Sequence, residues 1–422
     1  MWKYRCKNQV ISLIAAFVIG MLLVAVTMGD SSNYISSLSA YLPAEVVSVL
    51  ASNPYVFYIS GGLATAGICN LFLISNILNN QFGVSSLFMF MLLMFIPTQM
   101  MYLGILTAPI MLVVSLYGWI SLNLANKGHM SKAGMSGGAD EIIRVYQIHH
   151  PLDEQYKELG VSARRTVMRI NLIYSLGIVA IVCVMIFVPN FLMVLMLLFL
   201  YMMAFQFLAN YRNHAFLPIS NLLYEKCDPE ACMSALIYYG QRGRHYRIAN
   251  APLMAQCLIY LDDPSLAQDV LILFPRGNTR NTLLYWSLMA STYYQLKDQN
   301  GLERCKEAID KLRPGVGTMM LMYKSQEAAS VENKINLMNG NFNVCKQYYL
   351  DRLKTSASPL VSADCDYYIA LISYVQEDYP LAQMYFQKVI QIGGNLYFVK
   401  RARNYLSKLD EMNINSDEAL TY

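Results

Sequence analysis

Apolar residues run almost without interruption through much of the first half of the chain, and in the second half they recur three and four residues apart. Between Leu87 and Asn126, and again between Asn171 and Tyr211, there is no Asp, Glu, Lys or Arg. Each stretch is about 40 residues long, enough for two crossings of a hydrocarbon core that takes roughly 20 apolar residues apiece. Val10–Met28 and Tyr55–Leu78 provide two further apolar runs. This pattern predicts six membrane spans, at about 9–28, 55–78, 85–101, 104–125, 170–188 and 191–210, within a helical bundle covering 1–212. The turn between the last two falls at Pro189-Asn190. The break in the first long stretch falls at Pro97-Thr98-Gln99 or at Leu103-Gly104. The basic start and apolar run of 1–28 are read as a retained span, because no small-residue cleavage site follows Met28.

From 215 onward the apolar spacing predicts amphipathic helices separated by short polar turns, and no segment reads as a strand. Turn signals stand at Cys227-Asp228-Pro229, Asp262-Asp263-Pro264, Pro275-Arg276-Gly277-Asn278, Arg313-Pro314-Gly315, Asn339-Gly340-Asn341 and Gly393-Gly394-Asn395. The expected fold class is therefore all-α, with a helical domain over 215–410 and a short tail over 411–422.

Charge fixes an expected orientation. All eleven basic residues of the membrane half flank the spans on one side: Lys3, Arg5 and Lys7, then seven within the loop 126–169, then Arg212. Because Lys and Arg are retained on the cytoplasmic side, both termini are expected inside, in a bacterial inner membrane or a plasma membrane. The C-terminal half balances 21 basic against 21 acidic residues, so the net charge of +4 belongs to topology and leaves no basic face for DNA or RNA. Nine scattered cysteines with no CxxC pair read as free cytosolic thiols.

The spans carry no Asp, Glu, Lys, Arg or His, the residues that ion-coupled transport normally places there. Asn70, Asn76, Thr98, Gln99, Asn123 and Gln206 are read as helix-to-helix hydrogen-bonding groups. The small residues Ser60, Gly61, Gly62, Ala64, Ala66 and Gly67 suit close helix packing, either within the bundle or in a homo-oligomer. No catalytic constellation, P-loop or dinucleotide fingerprint is present, so no enzyme and no cofactor is expected. His149-His150 with Asp153 and Glu154 is read as a solvated loop, not as a metal site. The segment Asp140–Arg169 around it is expected to be amphipathic, lying on the bilayer or docking onto the helical domain.

A repeat emerges on aligning small residues. Ala267, Cys305, Cys345 and Ala382 are 38, 40 and 37 residues apart. Each has a large apolar residue four later (Leu271, Ile309, Tyr349, Phe386) and Pro264, Leu302, Phe342 or Tyr379 three before it. A small residue flanked in this way lets a partner helix approach and locks it on both sides. Trp286, Met289, Ala290 and Tyr293, with Tyr379, Ala382, Phe386 and Val389, resemble the two helices of a tetratricopeptide repeat. The period here is longer than that family's usual 34, and the turn after Lys297 is read as lengthened. The resemblance covers roughly 215–410 and implies a stacked helical array whose concave face binds a peptide or partner helix. Carried onto this chain, the groove positions are Leu284, Ser287, Ser291 and Tyr294, and in the last repeat Tyr367, Leu371 and Tyr374. The expectation is a membrane-embedded adaptor that offers this face to a protein partner. The alternative is a membrane transport or export component regulated by the repeat domain.

Overall fold

The computed structural model describes the chain apart from residues 1–5, 28–47, 49–52, 54, 83–96, 133–137, 188–190, 275–278, 313–317 and 420–422. Among the described residues every regular element is helical, so the protein is all-α. Contacts divide it into two compact units. One comprises Met1–His129, Pro275–Leu283 and Leu312–Ser325, and the other Met130–Phe274, Leu284–Lys311 and Gln326–Tyr422.

The first unit contains α1 (Cys6–Thr27), α2 (Tyr55–Phe82) and α3 (Pro97–Lys132). Two segments, Tyr58–Ser75 and Tyr102–Ser121, are long and apolar enough to cross a membrane, and Gln9–Leu22 is a shorter apolar helix. Of the expected span 85–101, only the residues from Pro97 onward are described, and they open α3. Leu103-Gly104 lies inside that helix, so the chain does not break there. The other candidate, Pro97-Thr98-Gln99, stands at the first described residues of α3. Gly61 and Gly62 of α2 face α1, and Gly67 faces α3. A methyl group on Gly61 would strike Val24, and one on Gly20 would strike Gly61 O and Thr65 Oγ1. Across that crossing Thr65 Oγ1 donates to Ala16 O at 2.7 Å. Asn70, fully buried, donates to Gly104 O at 3.1 Å and to Thr107 Oγ1 at 2.8 Å, fastening α2 to α3. Ser115 Oγ donates to Gln9 Oε1 at 3.0 Å and joins α3 to α1.

The second unit begins with α4 (Ala139–His149), a 3-10 turn at Glu154–Tyr156, α5 (Lys157–Phe187) and α6 (Phe191–His214). The expected loop 126–169 is thus mostly helix, with α3 reaching Lys132 and α5 starting at Lys157. Ile142, Ile143 and Tyr146 form the buried face of α4. They dock against the helical domain, the second of the two placements open for this segment, where α4 meets α10 (Pro264–Ile272). The Asp140 carboxylate accepts from the Tyr246 N–H and pairs with His245 at 3.0 Å, and both contacts hold that carboxyl below its usual range. His150 Nδ1 lies 3.1 Å from Glu230 Oε1. Tyr201 Oη donates to Tyr174 O at 3.1 Å, joining α6 to α5.

Beyond His214 the helices come in pairs. These are α7 (Leu217–Tyr224) with α8 (Pro229–Gly240), α9 (Ala251–Tyr260) with α10, and α11 (Thr279–Gln295) with α12 (Gln299–Asp310). Then follow α13 (Thr318–Met338) with α14 (Phe342–Lys354), α15 (Pro359–Val375) with α16 (Tyr379–Ile392), and a last helix α17 (Tyr397–Ala419). α17 takes in most of the expected tail. The turn inside each pair is the same device. Its penultimate residue has positive φ: Cys227 53°, Asp262 65°, Lys297 56°, Gly340 77°, Glu377 60°. An Asp or Asn comes next, at the N-cap position of the following helix, and in three of the five turns its side chain caps that helix. Asp228, Asp263 and Asp298 accept from Ala231 N, Leu266 N and Gly301 N. Such a cap contributes about 1 kcal/mol. The turn at Lys297 has the same length as those at Asp262, Gly340 and Glu377, and a Lys adopts the left-handed conformation there without any glycine to announce it.

Ala267, Cys305, Cys345 and Ala382 sit on α10, α12, α14 and α16 and are all 0% exposed. Leu271, Ile309 and Phe386 are likewise sealed, and Tyr349 is nearly so. Asp366 on α15 is the discordant core residue, 4% exposed with no partner for Oδ1. Burial pushes its carboxyl up to about 6. Relative to an unfolded value of about 3.9, the ionised form costs stability above pH 6 and the cost fades as pH falls toward 4. Asp366→Asn is expected to stabilise its surroundings by on the order of 1–2 kcal/mol at pH 7.5 and to be neutral near pH 4, as read by the protection of α15 amides against hydrogen exchange at the two pH values.

Candidate binding cavity

The paired helices close on themselves. From α17, Arg401 Nη2 donates to Asp262 Oδ2 at 2.6 Å, in the turn between α9 and α10. Phe398 meets Tyr260 edge to face at 6.1 Å. The Asn395 N–H donates to Cys227 O at 3.0 Å, and Gly394, at φ 50°, passes so near that a Cβ would lie 2.7 Å from Lys226 O. The last helix thus rests on the first pairs. An open solenoid would leave the two ends of the array apart.

Within this closure lies a cavity of about 550 Å³. α9 contributes Gln256, Ile259 and Tyr260, and α11 contributes Leu284, Ser287, Leu288, Ser291, Tyr294 and Gln295. Opposite stand Gln326, Glu327, Ala329, Ser330, Asn333 and Lys334 of α13 and Tyr348, Tyr349, Asp351, Arg352 and Thr355 of the α14 region. Asp364 and Tyr368 of α15 and Tyr397 of α17 complete the wall. The four groove positions placed on α11 from the sequence therefore all line one cavity, on successive turns of a single helix face.

The three positions placed on α15 do not line it. Tyr367 is 3% exposed and stacks on Phe398 at 4.8 Å. Tyr374 packs against Tyr379 and Tyr405, and Leu371, one turn beyond Tyr368, is not among the lining residues. Asp364 and Tyr368 face inward instead, because the stack of Tyr367 on α17 fixes the rotation of α15.

The cavity wall is aromatic and charged. Tyr349 and Tyr368 stack at 4.8 Å with 7° between their planes, and Tyr294 meets Tyr368 at 6.1 Å. Burial pushes the Tyr294 and Tyr397 phenols up to about 12, so they serve as neutral hydroxyls. Lys334 Nζ donates to Ser330 Oγ at 3.0 Å. Burial and the neighbouring Arg352 push its ammonium down to about 8 against opposing pulls from Asp364, Glu327 and Cys305. Burial also disfavours charge on Arg352, but Asp364 and the surrounding phenols outweigh it and keep the guanidinium protonated. Arg352 Nη1 donates to Tyr348 Oη at 3.2 Å. Burial raises the Asp364 carboxyl, with Arg352 and Lys334 opposing. Sequence spacing did not single out Lys334, Arg352 or Asp364, which come from three helices and share no motif.

No group of three His, Cys, Asp or Glu side chains that could hold a metal occurs among the described residues, the His149-His150 segment included. No family model, curated protein or solved structure matches this chain.

Proposed function

We propose that this protein is a membrane-embedded adaptor: a bundle of about six spans holding a tetratricopeptide-like cytoplasmic domain that receives a partner protein on its concave side. The observation that carries the reading is the convergence of Leu284, Ser287, Ser291 and Tyr294 on one cavity, at the positions where such an array contacts its ligand. The five helix pairs with one shared turn device support the repeat assignment. A stripe on α3 supports residence in lipid: Tyr102, Leu106, Ile110, Val113 and Tyr117 are each more than 60% exposed, a pattern that suits hydrocarbon and not water. The transport alternative draws on polar residues within the spans. Asn70, one of these, spends its side-chain N–H on fastening α2 to α3.

The test is recovery of proteins cross-linked to the tagged full chain in its native membrane, comparing wild type with Ser291→Trp. The indole would occupy the cavity beside Ser291, while Arg401, Asp262, Asn395 and Cys227, which make the closing hydrogen bonds, are not among its lining residues. Loss of a specific protein from the variant, with membrane insertion retained, is the expected result. Equal recovery from both would remove the cavity from partner binding.

A further inference from the structure

Arginines from three separate parts of the second unit meet at the base of α5 and α6. α5 crosses α8 at Gly160, where a Cβ would strike Ala235 O and come within 2.9 Å of the Tyr239 N. Just past this crossing the half-buried Arg164 donates through Nη1 to Gln241 O, which ties the segment 241–247 to α5. Phe216, which follows α6, has its ring 4.5 Å from that of Tyr239. Burial raises the Tyr239 phenol, and Arg212, Arg242, Arg164 and Arg247 all oppose the rise. Four guanidinium groups from α5, α6 and the segment after α8 thus stand near one ring. Its neighbour Tyr238 feels the opposite sign: burial raises that phenol first, and Glu154 and Asp153 raise it further. Those acids precede α5, whereas the arginines stand where its apolar part begins.

The same height is the edge of an exposed apolar surface. Leu172, Ile173 and Leu176 of α5 and Met203, Phe207 and Tyr211 of α6 are all exposed. The two helices touch where a Cβ on Gly177 would lie 2.6 Å from Tyr201 Cε2. Arg165 stands twelve residues before Gly177 and Arg212 eleven past Tyr201. At 1.5 Å per residue both therefore lie about 17 Å from that contact, on the same side of it. Exposed hydrocarbon gives way to exposed arginine at one height on both helices, with Tyr211 at the boundary, where an aromatic ring suits a headgroup layer. Arg165, Arg212, Arg242, Arg244 and Arg247 are exposed, and none of them joins a salt bridge among the described residues. Asp140, the acid that meets the segment 241–247, already pairs with His245 and accepts from the Tyr246 N–H.

We propose that this rim binds anionic phospholipid headgroups, with Arg165, Arg212, Arg242 and Arg247 on their phosphate oxygens, so that the segment 241–247 rests on the bilayer. The inference rests on α5 and α6 crossing the membrane, as the proposed function has them, and adds a contact made by a segment that lies outside every span. Sidedness alone asks for basic residues next to the spans; it does not ask Arg164 to draw a later segment with three more arginines to the same place. A guanidinium presents paired N–H donors that match a phosphate, and an anionic leaflet attracts such groups within a Debye length of about 10 Å. A lipid fits better than an acidic protein because the arginines adjoin exposed hydrocarbon on both helices, which acyl chains cover and an acidic surface does not.

The experiment is hydrogen exchange of the full chain in nanodiscs of phosphatidylcholine alone and in an equal mixture with phosphatidylglycerol. Amides of 242–247 are expected to exchange at least about fivefold more slowly in the mixed discs at low salt, with the difference shrinking at high salt. Arg242→Gln with Arg247→Gln abolishes the slowing, while Lys400→Gln with Arg403→Gln, which removes the same charge from the exposed face of α17, keeps it. The comparison of the two discs uses the wild-type chain and so does not depend on any variant's folding. Equal exchange in both discs, a slowing that survives the Arg242 and Arg247 changes, or an equal slowing by inorganic phosphate added to phosphatidylcholine discs would each overturn the proposal. Amides of α5 and α6 beyond Ile170 are expected to stay protected for hours in both discs. If they exchange as a helix in water does, the membrane reading fails and the headgroup contact with it. Protected spans beside an indifferent 242–247 segment would sink the headgroup contact alone.

Discussion

Phe386→Ala loosens the last helix pair and α17 by about 3–5 kcal/mol, the cost of emptying a large aromatic site in a sealed core. Phe386 is 0% exposed and lies flat against Tyr405, 5.1 Å between centroids with 2° between planes. Tyr367 meets it at 6.4 Å from the other side. The same ring therefore holds α15, α16 and α17 together, and α17 carries the groups that close the array on Asp262 and Cys227. Hydrogen exchange of the full chain is the measurement, since a protein with two compact units does not unfold as a single two-state system. Amides of α15–α17 are expected to exchange faster in the variant, with those of α1 and α2 unchanged. Unaltered exchange in α17 would show that the closure does not depend on this ring.

The second large effect is expected at Gly104→Leu. A Cβ at this position would lie 2.5 Å from Gly67 O and 2.9 Å from Leu71 Cγ. The first of these is backbone and cannot rotate away, so α2 and α3 must separate. Separation also removes Gly104 O from the buried Asn70 amide. Overpacking costs about 1–3 kcal/mol, and an interhelical hydrogen bond in a membrane averages about 0.6 kcal/mol, so sterics dominate. The variant is expected to lose thermal stability in detergent and to aggregate, while Leu106→Ala, on the exposed face of the same helix, behaves as wild type. A Gly104→Leu protein as stable as wild type would contradict the close crossing.

These two sites also show what the amino-acid order makes legible. Ala267, Cys305, Cys345 and Ala382 could be found because a small residue between large ones is a local pattern with one physical use. The glycines of α2 were visible for the same reason, though not which helices they meet. The α11 face was readable because Trp286, Met289, Ala290 and Tyr293 define its opposite side without ambiguity. On α15 the run Asp364-Cys365-Asp366-Tyr367-Tyr368 offers two helical phases with similar chemistry, and only the stack of Tyr367 on Phe398 selects one. The closure itself depends on Arg401 finding Asp262, 139 residues away, and no short-range periodicity encodes that pairing. The turn at Lys297-Asp298 reads as longer than it is because a left-handed lysine leaves no compositional mark.

The most direct measurement is photo-cross-linking from inside the cavity in native membranes, with a benzophenone side chain placed at Ser287 in one full-length protein and at Glu303, on the exposed face of α12, in another. A protein adduct formed from Ser287, absent from Glu303 and suppressed by Ser291→Trp on the same chain is the result this account expects. Adducts of equal yield from both positions, or adducts from Ser287 indifferent to Ser291→Trp, would contradict a partner held in the cavity.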